Sequence, residues 1–149
     1  MLRLKRLLDG IVDGFRMRRL SPRRPRRVLI VDDETTVRLF LSSVLSAAGY
    51  DTTVAEDGPE ALTMYETRGP FDVVVTDVMM PRMRGHELAR RIRQVHTDAK
   101  VLYVTGYSDV LFEAKPRLWE DEAFLEKPCS PDGVVEAVSL LVAAYIRRP

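Results

Sequence analysis

The stretch Val28-Leu29-Ile30-Val31-Asp32-Asp33-Glu34 joins four consecutive apolar residues directly to three acidic ones. A short apolar run rich in β-branched residues is typical of a strand that is covered on both faces. Two further runs, Val73-Val74-Val75 and Val101-Leu102-Tyr103-Val104, repeat this pattern later in the chain. These runs predict a parallel sheet, because the helices that connect parallel strands cover both of its faces.

Helical patterns separate the apolar runs. The apolar stripe of the first predicted helix consists of Val37, Leu41, Val44, Leu45 and Ala48, and Gly49 is suited to end that helix in a left-handed conformation. We predict two more helices over residues 59–68 and 86–96, a weaker strand over residues 52–55 and a last strand over residues 123–126. Ser130-Pro131 begins a final helix. Strands that alternate with helices predict an α/β fold, a doubly wound five-stranded parallel sheet with helices on both faces.

Charge divides the chain into two parts. Residues 1–27 contain ten basic and two acidic residues, whereas the remainder contains 13 basic and 20 acidic ones. This shift predicts a basic N-terminal arm and linker over residues 1–27 and a folded domain over residues 28–149. The apolar residues of the arm have helical spacing, so the arm is amphipathic. Four roles stay open for it: docking to a membrane, docking to a partner protein, non-specific contact with nucleic acid, or a functionally neutral extension.

Length and composition exclude several protein classes. A chain of 149 residues fits one compact domain with a short extension. Its single cysteine, Cys129, gives no internal disulfide, and the sequence has no run of 18 apolar residues. These features favour a cytoplasmic globular protein over a secreted, membrane-spanning or disordered one.

Polar residues follow the predicted strands at the points where the strands end. Asp32 and Asp33 follow the first strand, and Asp77 follows the third. Because the carboxyl ends of parallel strands meet at one edge of a sheet, three carboxylates converge there and require a cation. Oxygen ligands alone suit Mg²⁺. Thr105 and Lys127, at the ends of the fourth and fifth strands, add donors for a phosphoryl group, and Asp77 is suited to be its nucleophilic acceptor.

Four motifs occur in order at these strand ends. They are Val28-Leu29-Ile30-Val31-Asp32-Asp33-Glu34, Val75-Thr76-Asp77-Val78-Met79-Met80-Pro81, Val104-Thr105-Gly106 and Phe124-Leu125-Glu126-Lys127-Pro128. Together they resemble the motifs of the response-regulator receiver domain of two-component signalling, in particular a single-domain, CheY-like receiver. The resemblance extends over about residues 27 to 147 and implies a flavodoxin-like sheet with the strand order 2-1-3-4-5.

The resemblance implies a role for each site residue. Asp77 becomes the phosphorylation site, and Mg²⁺ is held by Asp32, Asp33, Asp77 and the main-chain carbonyl of Met79. Lys127 binds the phosphoryl group and, with Asp77 and Thr105, forms the catalytic set.

Two further implications concern switching and backbone geometry. Thr105 and Phe124 correspond to the hydroxyl and aromatic residues that switch in this family. The Lys127-Pro128 peptide bond is expected to be cis, an uncommon state that X-Pro bonds adopt more readily than others.

The implied function is that of a phosphoacceptor in a phosphorelay. A histidine kinase or a histidine phosphotransfer protein donates the phosphoryl group, and the modified domain changes its contact with a downstream protein that the sequence does not identify. On this interpretation the protein is a switch, not an enzyme. A small Mg²⁺-dependent aspartyl-phosphate phosphatase-like enzyme is the alternative. Specific DNA binding is not expected, because residues 1–27 contain no helix-turn-helix motif and the remainder is acidic.

One segment departs from the family pattern. The family pattern has its fourth helix between Thr105 and Phe124. Pro116 interrupts this segment, so we expect that helix to be short or displaced. Trp119 lies just beyond it and is either a packing anchor or a contact residue. Because this segment belongs to the surface where receivers generally meet partners, its change leaves the downstream partner undetermined.

Overall fold

The computed structural model describes residues 24–144, in which five strands alternate with five helices. The strands are β1 (Arg27–Val31), β2 (Asp51–Ala55), β3 (Val73–Thr76), β4 (Val101–Thr105) and β5 (Glu122–Glu126). The helices are α1 (Thr35–Ala47), α2 (Gly58–Arg68), α3 (Gly85–Val95), α4 (Ser108–Ala114) and α5 (Pro131–Ala144). Every strand and helix predicted from the sequence is present.

All strand pairs in the sheet are parallel, and the strand order is β2-β1-β3-β4-β5. The predicted doubly wound fold and its order are therefore confirmed. In the register of the sheet, Val31 of β1 pairs with Thr76 of β3. The residues that follow these two, Asp32 and Asp77, consequently leave the sheet side by side at its carboxyl edge.

The two faces of the sheet are covered by separate apolar cores. In β1, Val28 and Ile30 point to the core formed with α1 and α5, whereas Leu29 and Val31 point to the core formed with α2, α3 and α4. All four side chains are fully buried. Burial on both faces explains why β1 is a continuous apolar run instead of an alternating one.

Two helix ends behave as the sequence predicts. Gly49, just beyond α1, has a φ of 96°, a left-handed conformation that glycine adopts without steric penalty. Helix α4 has only seven residues and ends at Ala114. Lys115 precedes Pro116, and the residue before a proline is disfavoured in the helical conformation. The prediction of a short fourth helix is thus confirmed, and residues 115–121 lead from it to β5.

The described residues include only the last four positions of the predicted basic arm. Strand β1 begins at Arg27, one residue before the predicted boundary, so the other predictions for residues 1–23 lie outside the described part of the chain. Among residues 24–144, no helix has the length and apolar character needed to cross a membrane.

Helix α3 begins without a side-chain cap, which gives a first testable prediction. Its N-cap residue, Arg84, is extended and accepts no hydrogen bond from the first turn. Replacing Arg84 by Asn should stabilise the fold by about 1 kcal/mol, because the amide oxygen can cap the helix and a positive charge leaves its positive end. Urea unfolding of both proteins measures this gain in the free energy of unfolding.

The matched control places the same substitution inside α3. Arg90→Asn, on the exposed face of the helix, should lower the free energy of unfolding by about 0.5 kcal/mol, since Asn is a weaker helix former than Arg. Equal effects of the two substitutions would contradict a capping role at position 84.

Candidate functional site

The three acidic residues predicted for the cation site lie together at the carboxyl edge of the sheet. Carboxylate oxygens of Asp32, Asp33 and Asp77 are all within 4.8 Å of one another. Asp32 and Asp77 are buried, whereas Asp33 is exposed at the rim. The donor set consists of hard oxygen atoms with access to solvent, a combination that suits Mg²⁺ and its retained water ligands.

Lys127 bridges two of these carboxylates. Its Nζ atom donates to Asp32 Oδ2 at 2.9 Å and to Asp77 Oδ2 at 3.0 Å. Burial alone would lower the pKa of Lys127, but the hydrogen bonds and charges of both carboxylates raise it above its usual value. Lys127 therefore remains an ammonium group at neutral pH and directs its charge at the edge of the sheet.

The Asp32 carboxylate is ionised less readily than an exposed one. Burial raises the pKa of Asp32 above its ordinary value, and the hydrogen bond from Lys127 offsets only part of this effect. A buried carboxylate beside a second one is stabilised in its charged form by additional positive charge. The electrostatics of the cluster thus match the donor chemistry in favouring a bound cation.

Main-chain N–H groups orient the two buried carboxylates, and a hydroxyl group holds the backbone of one of them. The Glu34 N–H donates to Asp32 Oδ1 at 2.9 Å, and the Val78 N–H donates to Asp77 Oδ1 at 2.6 Å. The buried Thr76 hydroxyl donates to the Asp77 carbonyl oxygen at 2.9 Å. Sequence motifs identify the acids but not these donors, which arise only from the path of the loops.

The two predicted switch residues lie on β4 and β5. Thr105 is fully buried at the end of β4, and its Oγ1 accepts a hydrogen bond from the Tyr107 N–H at 3.0 Å. Phe124 is half-buried in β5 and packs edge-to-face on Phe112 of α4, with ring centroids 4.9 Å apart. The Thr105 carbonyl accepts from the Lys127 N–H at 3.0 Å, so the backbone connects the hydroxyl to the lysine.

The remaining sequence predictions at this edge have mixed outcomes. The Lys127-Pro128 peptide bond is cis, as the resemblance implies. Cys129 packs against the α1 and α5 core, and burial raises the pKa of its thiol. The thioether of Met79 contacts the Arg84 guanidinium. The predicted metal-binding role of the Met79 carbonyl stays a prediction.

A buried carboxylate at the start of β5, which the sequence analysis did not identify, holds residues 115–122 in place. This is the segment that departs from the family pattern. The side chain of Glu122 is fully buried. It accepts hydrogen bonds from Tyr103 Oη at 2.7 Å and the Trp119 N–H at 3.0 Å, and it pairs with Arg93 at 3.3 Å and Lys115 at 2.6 Å. Both cations also lie over the Trp119 ring, 4.6 and 4.1 Å from its centroid. Trp119 therefore packs against both cations, and 54% of the residue is exposed.

The pKa of Glu122 reflects these contacts. Burial on its own would raise it, but the hydrogen bonds from Lys115, Trp119 and Tyr103 and the charge of Arg93 lower it below the ordinary value. Glu122 is therefore ionised at neutral pH and binds its cations as a carboxylate. Its only sequence signal is a charged residue at the start of a strand whose other residues are largely apolar.

Comparisons with known proteins agree with this geometry. Residues 28–139 match the family model of the response regulator receiver domain. The chain is 34% identical over 120 residues to the response regulator receiver protein CpdR of Brucella abortus (strain 2308), which covers 80% of this chain and 99% of that protein. It is also 40% identical over 104 residues to the sensor kinase CckA of the same organism, covering 69% of this chain but only 11% of the kinase.

A solved structure shares both the fold and part of the sequence. The response regulator TrrA from Thermotoga maritima, determined in complex with Mg²⁺ and BeF, superposes with a TM-score of 0.69 at 34% identity. The match covers 78% of this chain and 98% of that one. In that relative the same fold binds Mg²⁺ together with a beryllium fluoride.

Proposed function

This chain belongs to the response regulator receiver family, and we propose that Asp77 is the residue on which it accepts a phosphoryl group. Its role is that of a phosphoacceptor in two-component signalling, as in the receiver proteins to which it is similar. The observation that carries the assignment of Asp77 is the contact of its carboxylate with Lys127, at 3.0 Å, inside a cluster of three acidic groups.

In the proposed reaction, an Asp77 carboxylate oxygen attacks the phosphorus atom of a phosphohistidine on a histidine kinase or histidine phosphotransfer protein. The new O–P bond forms as the P–N bond breaks, and the departing imidazole nitrogen takes up a proton. Lys127 is already hydrogen-bonded to Asp77, so its ammonium group is placed to bind a phosphoryl oxygen and stabilise the negative charge there. The protein thus assists its own phosphorylation. Hydrolysis then returns it to the starting state: water attacks the phosphorus atom, the bond from phosphorus to the Asp77 oxygen breaks, and inorganic phosphate leaves.

Asp32, Asp33, Asp77 and the main-chain carbonyl of Met79 would hold Mg²⁺ in this proposal. When bound, Mg²⁺ neutralises negative charge on phosphoryl oxygens. The convergence of three carboxylates within 4.8 Å and the raised pKa of Asp32 support a cation at this position.

The switch follows from electrostatics. A phosphoryl group adds about −1.5 to −2 charges at Asp77 and offers new acceptors to Thr105 and Lys127. Movement of Thr105 toward the phosphoryl group would pull the loop before α4 in the same direction. This would change the contact of Phe112, in α4, with Phe124. The surface of α4, β5 and α5 would then change its contact with a downstream protein.

The other functions considered are less well supported. The comparisons favour the phosphoacceptor role and give no support to a phosphatase. We further propose a cytoplasmic location and the absence of specific DNA recognition, both on the sequence features given above. Docking of residues 1–27 to a membrane or a partner remains a proposal for that arm.

Phosphorylation by acetyl phosphate tests the assignment of Asp77. Incubation with acetyl phosphate and Mg²⁺ should add one phosphoryl group to the wild type, detected by intact-protein mass spectrometry. Asp77→Asn should show no addition, because an amide is not a nucleophile for this transfer. Chelation of Mg²⁺ should suppress the addition in the wild type.

The control is Asp98→Asn, at an exposed position in the loop between α3 and β4. This variant should be phosphorylated as the wild type is, since the loop lies at the opposite edge of the sheet. Phosphorylation of Asp77→Asn at the wild-type level would refute the assignment.

A further inference from the structure

Arg38 extends back from α1 toward the loop that joins β1 to this helix. Its Nη1 atom donates to the main-chain carbonyl of Asp32 at 2.7 Å, and Nη2 donates to Thr35 Oγ1 at 3.0 Å. Nη2 also lies 3.7 Å from Glu56 Oε1, and only 11% of the Arg38 side chain is exposed. A planar guanidinium with three partners is held in one orientation, because its donors form a rigid fork.

The Asp32 carbonyl lies between the two adjacent acids of the proposed cation site. It belongs to the peptide plane between Asp32 and Asp33, so fixing its oxygen also fixes the direction of the Asp33 nitrogen. Asp32 has further restraints, since its N–H donates to the Ala55 carbonyl at 3.3 Å and its Oδ1 accepts from the Glu34 N–H at 2.9 Å. Asp33, by contrast, is exposed and lies beyond the end of β1.

We propose that Arg38 is a positioning residue for the cation site. Its hydrogen bond to the Asp32 carbonyl sets the orientation of the Asp32–Asp33 peptide and thereby the place from which the Asp33 carboxylate reaches the cation. This inference rests on the magnesium site proposed above. It adds that the geometry of that site depends on a residue that touches neither the cation nor the phosphoryl group.

The two alkaline-earth ions separate positioning from general destabilisation. Mg²⁺ requires nearly ideal octahedral geometry, whereas Ca²⁺ accepts variable coordination and longer bonds. A displaced Asp33 should therefore weaken Mg²⁺ binding more than Ca²⁺ binding. A fold that is merely less stable should weaken both to the same extent.

Isothermal titration calorimetry with each metal ion alone measures this difference. For Arg38→Ala we expect the Kd for Mg²⁺ to rise about tenfold, the lower end of the range for residues that orient metal ligands. The Kd for Ca²⁺ should change less than about threefold. Arg38→Lys should retain part of the Mg²⁺ affinity. Its ammonium group can bind the Asp32 carbonyl oxygen or the Thr35 hydroxyl oxygen, but it lacks the fork that lets the guanidinium bind both.

The control is Arg91→Ala on α3, where Arg91 pairs with Glu87 at 3.1 Å. Both dissociation constants should remain at their wild-type values. Unfolding measured without cations shows how much of each variant is folded, and Arg38→Lys provides the comparison if Arg38→Ala does not fold.

Two results would overturn the inference. Equal losses of affinity for Mg²⁺ and Ca²⁺ would reduce Arg38 to a stabilising residue, and unchanged affinity for Mg²⁺ would remove its role entirely. If the wild type binds neither cation, the proposed site itself fails, and the inference fails with it.

Discussion

Gly85→Ala should abolish phosphorylation at Asp77 and destabilise the fold by about 3 kcal/mol or more. A Cβ atom on Gly85, at the start of α3, would lie 1.9 Å from the Asp77 carbonyl oxygen and 3.2 Å from the Val78 Cα. Both neighbours are backbone atoms, which cannot rotate away as a flexible side chain can. Either α3 must move or the Asp77 peptide must turn.

Turning the Asp77 peptide would disturb the phosphoacceptor directly. The Asp77 carbonyl accepts from Thr76 Oγ1, and the Gly85 N–H donates to the Val78 carbonyl at 2.9 Å. Losing these bonds would misplace the Asp77 carboxylate relative to Lys127. We therefore expect no phosphorylation by acetyl phosphate even at temperatures where Gly85→Ala is folded.

The comparison for this prediction is another glycine at the same edge of the sheet. Gly106 follows β4, and a Cβ atom there would have no neighbour within 4 Å. Gly106→Ala should change the free energy of unfolding by less than about 0.5 kcal/mol. Urea unfolding and intact-mass phosphorylation assays test both variants. Wild-type stability of Gly85→Ala would contradict the prediction, because it would show that the backbone at Asp77 and Val78 can move aside without cost.

The fold could be predicted because its signals are local. The apolar run of β1 is continuous since α1 and α5 cover one face of the sheet and α2, α3 and α4 the other. The acids at positions 32 and 77 follow strands that pair directly, so their proximity follows from the order of the strands. Pro116 likewise gives the end of α4 from its immediate neighbourhood.

The supporting contacts of the site could not be predicted, because they join residues distant in sequence. Arg38 has the pattern of an ordinary polar residue on a helix, and its partner is a main-chain oxygen that no sequence motif marks. Glu122 is one acidic residue just before the apolar stretch of β5, and no local pattern marks it as buried. Its partners Arg93 and Tyr103 are 29 and 19 residues away, and a burial pattern at one strand end does not identify them.

Glu122→Gln should destabilise the protein by about 3 kcal/mol at neutral pH. The substitution preserves the size of the side chain and an acceptor for Tyr103 but removes the carboxylate charge that pairs with the buried Arg93 guanidinium. Only 8% of the Arg93 side chain is exposed, so it cannot regain its hydration without movement of α3 or β5. Urea unfolding, followed by the fluorescence of the single tryptophan, Trp119, measures the loss.

Charge removal at the opposite end of the same strand provides the control. Glu126 is exposed and accepts a hydrogen bond from Ser108 at 2.5 Å, so Glu126→Gln should change stability by less than about 0.5 kcal/mol. A double variant, Arg93→Met with Glu122→Gln, should recover part of the lost stability, because no buried guanidinium is left without a counter-charge and the Gln oxygen still accepts from Tyr103. Lys115 is partly exposed and can turn toward solvent.

The pH dependence separates loss of charge from altered packing at Glu122. The pKa of Glu122 is lower in the folded protein than the ordinary value of about 4.5, so the folded state favours the carboxylate. The stabilisation from its charge is therefore complete above about pH 4.5 and is lost as the pH falls through the lower, folded value. The stability difference between the wild type and Glu122→Gln should shrink over that acidic range. A stability difference that stays constant over this range would mean that the amide lowers stability through altered packing and that the carboxylate charge contributes little.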